Sequence, residues 1–106
     1  LRASANIGVY GMSKAAEAGL ARNLSLEWGP QNIRVNSIAP GLIRTDFAQA
    51  LIEDPDRLKR VEEQLPLRRV GEPVVYIAGV ALFLGSRAGA YVTGQTIVAD
   101  GGDTIT

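Results

Sequence analysis

The sequence predicts an α/β fold with a parallel sheet, and three features predict it. A proline-free stretch rich in Ala and Leu runs from about Val9 to Trp28, long enough for a helix of several turns. Two short runs rich in β-branched residues, 33–39 and 96–99, are each closed by turn residues. Between them lie helix-forming segments opened by Asp54-Pro55 and by Pro73, so helices alternate with strands as they do in βαβ units.

The first helix has a stop signal at Gly29-Pro30, a glycine just past the last helical turn followed by proline. Gly19 inside it costs about 1 kcal/mol relative to alanine. With Ala15, Ala16 and Ala18 it offers a surface of small residues suited to close packing. Ile33 to Ala39 reads as a strand ended by Pro40-Gly41, and Asn36 within it as an amide that ties neighbouring backbone together. Asp54-Pro55 is a cap-plus-first-turn signal, and Asp56 to Gln64 reads as a short polar helix. Pro73 starts another helix running to Leu84 before Gly85. Its apolar residues, Val74, Val75, Ile77, Val80, Leu82 and Phe83 among them, lie nearly all round, which predicts burial on more than one side, against a sheet and a subunit neighbour. Thr96 to Ala99 is the final strand, closed by Asp100-Gly101-Gly102. Two strands and three helices make an incomplete sheet for 106 residues, and the very apolar last helix would lack cover, so the chain reads as one part of a larger domain.

Composition narrows the chemistry. Hydrophobic residues make up 46% and charged residues 21%, the balance of ordinary soluble globular material. Eleven basic residues offset eleven acidic ones, which leaves no basic field for nucleic acid; Arg68-Arg69 is only a local, solvated pair. The sequence has no Cys and no His. That excludes thiolate catalysis, disulfides, ordinary zinc ligation and a Ser-His-Asp triad within the segment, and no metal is expected. Acid–base work falls to Tyr, Lys, Asp or Glu. No apolar run approaches the roughly 20 residues that span a bilayer, so no membrane partner is expected. The first residue is Leu1 rather than Met, and the start of the natural chain, with any targeting signal, is expected upstream.

Tyr10 and Lys14 stand four apart near the start of the first helix and so share a face, one turn apart. A phenol is a poor proton carrier at neutral pH because its ordinary pKa is about 10, and an ammonium beside it favours the phenolate. Such a pair suits hydride transfer, which creates or consumes an alkoxide that needs a proton partner. Spacing alone leaves two readings open: this one, and an exposed tyrosine next to a solvated lysine.

The neighbours of the pair carry more. Tyr10-Gly11-Met12-Ser13-Lys14-Ala15-Ala16 is followed by Asn32-Ile33-Arg34-Val35-Asn36-Ser37-Ile38-Ala39-Pro40-Gly41, then Ile43-Arg44-Thr45. Further on come Arg69-Val70-Gly71-Glu72-Pro73 and a closing Thr93-Gly94-Gln95-Thr96-Ile97-Val98-Ala99-Asp100-Gly101-Gly102. In this order and spacing the sequence closely resembles the short-chain dehydrogenase/reductase family in its compact form, over nearly the whole chain.

The resemblance implies the C-terminal part of a Rossmann-like, doubly wound parallel sheet, residues 1–106 belonging to one NAD(P)-binding domain whose N-terminal half lies upstream. It implies an oxidoreductase moving a hydride between NAD or NADP and an alcohol or ketone. Tyr10 matches the family's catalytic tyrosine. Lys14 matches the lysine that assists it and bonds the nicotinamide ribose. Pro40 and Gly41 match the loop where a ligand approaches the strand ends, although a plain turn is the simpler reading of that dipeptide alone. Ile43 matches the residue whose backbone bonds the carboxamide, and Thr45 the hydroxyl beside it, a residue also suited to capping a helix before Phe47. The segment 46–67 corresponds to the variable substrate lid, in which Phe47, Leu51 and Leu65 either line a pocket or pack the lid down. The closing strand resembles the family's subunit contact, which implies a homo-oligomer, a dimer or tetramer, and the expected location is cytoplasmic.

The family's catalytic serine and glycine-rich phosphate loop fall upstream of Leu1, and Ser4 stands too close to Tyr10 to replace the serine. After Pro73 the run Val74-Val75-Tyr76 stands where relatives carry acidic residues and is one residue longer, which unsettles the start of the last helix. Two alternatives accompany the enzyme reading: a catalytically silent subunit that keeps the fold for assembly, and an inactive fragment.

Overall fold

A computed structural model describes residues 8–105, the side chain of Phe47 excepted; Ser4 lies outside them. Helix α1 spans Gly8–Trp28 as the composition predicts. Of its small residues, Ala18 and Ala21 are buried, three apart on one face of the helix, and the helix touches the first strand. The expected small-residue surface is narrower than the sequence indicated. Ala15 and Ala16 are exposed, and a Cβ placed on Gly19 would meet nothing within 4 Å. The stop is also more gradual. Gly29–Gln31 adds a 3₁₀ turn in which Pro30 occupies the first positions, where its missing N–H is harmless. The reversal comes at Asn32, which adopts a left-handed φ of 60° while its N–H bonds the Gly29 carbonyl at 2.9 Å.

Strands β1 (Ser37–Pro40) and β2 (Thr96–Ala99) pair in parallel, Ser37 opposite Thr96 and Pro40 opposite Ala99. The expected strand from Ile33 is thus cut to its second half. Its partner segment explains why. Gly94 turns left-handed (φ 69°), so residues 92–95 cannot extend a ladder below Thr96. Individual bonds replace it: Gly94 N–H to Val35 C=O at 2.7 Å, and Val35 N–H to the Thr93 hydroxyl at 3.1 Å. Asn36 ties the same two segments, as its sequence position indicated. Its Nδ2 donates to Val92 C=O at 2.8 Å and its Oδ1 accepts from Gln95 N–H at 3.1 Å.

The long connection between the strands holds a 3₁₀ turn at Asp46–Ala48, α2 (Gln49–Ile52), α3 (Pro55–Gln64) and α4 (Ala78–Gly85). Asp54 caps α3 through its side chain, which accepts the Arg57 N–H at 3.2 Å. Thr45 stands at the N-cap of the 3₁₀ turn but forms no side-chain capping bond, so that expected role is not realised. The segment is anchored by its apolar residues: Ala48, Leu65 and Val70 are all buried, Val70 being only 3% exposed.

One expectation for the last helix needs correction and another is met. Pro73–Ile77 is a π-helical turn, with the Ala78 N–H bonding the carbonyl of Pro73 five residues back, and regular α-helix begins only at Ala78. A π turn holds one residue more than an α turn, which accommodates the extra residue in Val74-Val75-Tyr76. Burial follows the expectation that this helix lacks cover within the chain. Leu84 is buried, but Val74, Val75 and Leu82 are exposed, and among the described residues no element covers them. A two-stranded sheet offers too little surface for a helix that is apolar nearly all round.

Candidate active site

Tyr10 and Lys14 occupy the first two turns of α1, and both side chains are accessible. The Lys14 ammonium lies 5.3 Å from the centroid of the Tyr10 ring, the contact that four-residue spacing allows. Its hydrogen bonds go elsewhere: Nζ stands 3.3 Å from each carboxylate oxygen of Glu17. Sequence reasoning missed Glu17, although its position three residues after Lys14 on one helix carried the signal. Ser13 is turned inward to its own helix, its hydroxyl donating to the Tyr10 carbonyl at 2.7 Å.

The pair opens on a cleft of about 600 Å³ between α1 and the sheet, and Pro40 and Gly41 line the same cleft. Four of the residues expected at the site are therefore brought together. Their fold logic is a strand end facing a helix start: β1 stops at Pro40, and Gly41 continues it by one bond, its N–H to the Ala99 carbonyl at 3.1 Å. Arg22, Asp100, Asp103 and Thr104 also line the cleft and were not singled out from sequence.

Asp100 fixes the turn after β2. One carboxylate oxygen accepts the Gly102 N–H at 2.9 Å and the other the Thr104 N–H at 2.9 Å. Partial burial pushes its pKa upward, but the hydrogen bonds from the Thr104 side chain and from these amides outweigh that and hold it below the ordinary carboxylate value.

Ile43 stands apart from the cleft, in an isolated parallel bridge with Gly71. The bridge bonds run from Gly71 N–H to Leu42 C=O at 3.0 Å and from Arg44 N–H to Gly71 C=O at 2.9 Å. In such a bridge the flanking residues make the bonds, and the central residue presents its own N–H and C=O to the opposite side. Ile43 therefore has a donor and an acceptor side by side, turned away from Gly71. Its side chain lines a second, apolar cleft of about 480 Å³ with Leu42, Leu67, Tyr76, Val98 and Ile105 among its walls. Thr45 is exposed and lines neither cleft, and Leu51 is half-buried and lines neither. Leu65 is buried and packs its segment down. The side chain of Phe47 lies outside the described residues. Among the described residues, no helix is long and apolar enough to cross a membrane.

Comparison with known proteins places this geometry. The profile of the family described as enoyl-(acyl carrier protein) reductase matches residues 1–104. Dehydrogenase/reductase SDR family member 4 of the pig (Sus scrofa) is 47% identical over 97 residues, covering 92% of this chain and 34% of that protein. The crystal structure of 4-hydroxyisoleucine dehydrogenase complexed with NADH superposes with a TM-score of 0.86 at 35% identity, over 92% of this chain and 40% of the other. YwfH, an NADPH-dependent reductase involved in bacilysin biosynthesis, superposes with a TM-score of 0.85 at 34% identity, over 96% of this chain and 42% of the other. The chain thus spans about a third of the length of the curated relatives it matches. Matched along nearly all of its length, with its parallel strands superposing on Rossmann-fold enzymes, the chain belongs to the short-chain dehydrogenase/reductase family.

Proposed function

We propose that this chain is the C-terminal part of an NAD(P)-dependent alcohol dehydrogenase or carbonyl reductase in which Tyr10 is the acid–base residue. The observation that carries the reading is the opening of the Tyr10–Lys14 pair onto the cleft that Pro40 and Gly41 also line. Relatives that bind NADH or depend on NADPH support either cofactor. The residues fit such a group: the cleft is open, and outside it the Ile43 N–H and C=O, which bond nothing among the described residues, match the acceptor and donor of a carboxamide.

A bound nicotinamide supplies or accepts the hydride. The chain's own residues handle the proton. Tyr10 gives its phenolic proton to the oxygen of a ketone as that oxygen becomes an alcohol, and takes one back in the oxidative direction. Lys14, one turn away, stabilises the negative charge left on the Tyr10 oxygen and grips the ribose hydroxyls; for the latter it must turn part of its hydrogen bonding away from Glu17. Pro40, Gly41 and Ile43 hold the nicotinamide end, with Thr45 beside it. The segment 46–67 acts as the substrate lid, with Phe47 and Leu51 as its candidate substrate contacts. The open edge of β2 and the uncovered apolar residues of α4 support assembly as a dimer or tetramer.

The test is Tyr10→Phe in the complete enzyme. Oxidation of NADH or NADPH across a panel of ketones should fall by about 10²–10⁴-fold, the usual worth of a positioned acid–base group, while cofactor binding persists. Unchanged turnover overturns the assignment of Tyr10.

A further inference from the structure

The segment Arg69-Val70-Gly71-Glu72-Pro73 has no part in the proton chemistry, yet the structure joins it to the loop after β1 by three successive contacts. Leu42 C=O accepts the Gly71 N–H at 3.0 Å, and Gly71 C=O accepts the Arg44 N–H at 2.9 Å. The third contact lies one residue past the bridged pair Ile43–Gly71 on both segments: the Arg44 guanidinium Nε stands 2.9 Å from a Glu72 carboxylate oxygen. Ile43 is at the centre of this zipper. Gly71 leaves room for it, since a Cβ there would run into the Ile43 Cδ1.

We propose that Arg44 and Glu72 are positioning residues, an ion pair that locks the Ile43 backbone so that its N–H and C=O stay aimed at the carboxamide of the cofactor. The inference rests on the functional reading above. A half-exposed ion pair adds little to global stability, with side chains 39% and 51% exposed here. Its effect is local: it fixes the direction of two polar groups that a free loop would let rotate. Because Glu72 lies beyond the far end of the segment 46–67, the same pair ties the nicotinamide end of the site to the outgoing stem of the lid.

The experiment uses the complete enzyme and two titrants, reduced cofactor and the corresponding ADP-ribose (2′-phosphorylated if the enzyme takes NADPH), which lacks the nicotinamide. Arg44→Glu and Glu72→Arg should each weaken cofactor binding at least threefold and leave ADP-ribose within twofold of the unaltered enzyme. The exchanged double variant R44E/E72R should recover most of the loss. If either single variant is shown by circular dichroism to be misfolded, Glu72→Gln replaces it and should show the same selective loss. The proposal is overturned if the single variants bind cofactor normally, if ADP-ribose weakens in parallel, or if the exchange recovers nothing. Should the unaltered enzyme bind no reduced cofactor, the functional reading itself falls and this inference with it, an outcome visible before any variant is made.

Discussion

Gly41 and Asp100 meet at the ends of the two strands, so closely that a Cβ on Gly41 would lie 2.6 Å from the Asp100 Cα. The obstacle is backbone, which has no rotamer by which to yield. Gly41 is therefore required by packing inside the protein, whatever it does for a ligand. Gly41→Ala should cost about 1–3 kcal/mol, the range for forcing atoms into a filled site, read from the urea midpoint. Gly19→Ala should do the reverse, gaining about 0.5–1 kcal/mol, because its surroundings are open and the helix prefers alanine.

Asn36 holds two segments together where the ladder fails. Its replacement by Ala removes a 2.8 Å bond to Val92 C=O and a 3.1 Å bond from Gln95 N–H. A loss of about 1–3 kcal/mol is expected, with faster hydrogen exchange at the Gln95 amide. Asn36→Asp should be worse than the isostere suggests, since a carboxylate then faces the Val92 carbonyl.

Lys14 and Glu17 should separate function from stability. Their pair is exposed, with side chains 44% and 59% accessible. Glu17→Gln should shift stability by less than about 0.5 kcal/mol. Lys14→Met should leave folding equally intact but lower turnover at least tenfold and weaken cofactor binding, in steady-state and binding titrations of the complete enzyme.

Asp100 sets an acid-side dependence. Its folded pKa is held down, so its contribution is fully present above the ordinary carboxylate value of about 3.9 and is lost as the pH falls through the lower folded value. A carboxyl-carbon NMR titration should place its midpoint below 3.9. Asp100→Asn should flatten this part of the stability–pH curve; an unshifted midpoint would remove the argument.

The π turn at Pro73–Ile77 predicts tolerance of a deletion. Removing Val75, which is exposed, should convert the turn to regular α-helix and leave the melting temperature within a few degrees. Deleting Ala81 inside α4 should be far more damaging. Every later residue would swing by about 100°, and Leu84 would leave the interior.

What the sequence revealed follows from how local each signal is. The first helix, the Asp54-Pro55 start and the last strand are set by nearby residues, and the structure has them where expected. The tying role of Asn36 was also legible, since an amide in a short strand needs partners. The late start of β1 was not, because it depends on Gly94, nearly 60 residues away, turning left-handed. Tyr10, Lys14, Pro40 and Gly41 meet at one cleft because a helix start and a strand end are both marked in sequence. Glu17 was passed over although its spacing was visible. Asp100 could be placed in the cleft only once the strands were paired. The exposure of α4 was legible too, because two short strands offer too little surface to cover a helix that is apolar nearly all round.

The excursion from Arg44 to Gly71 has both its ends at one point, where Leu42 and Arg44 both bond Gly71, and near its close Leu67 N–H ties it to the Gly101 carbonyl at 3.1 Å. Its two ends are adjacent whatever lies between them. A replacement loop of different length would meet nearly the same closure entropy, which changes by only about 0.6 kcal/mol on doubling the residues. The part before Leu65 is thus an interchangeable cassette. Grafting one from a relative with another substrate, cut at residues 45 and 64 so that the Leu67 bond to Gly101 is kept, should transplant selectivity without disturbing the strand ends or the helix that carries Tyr10.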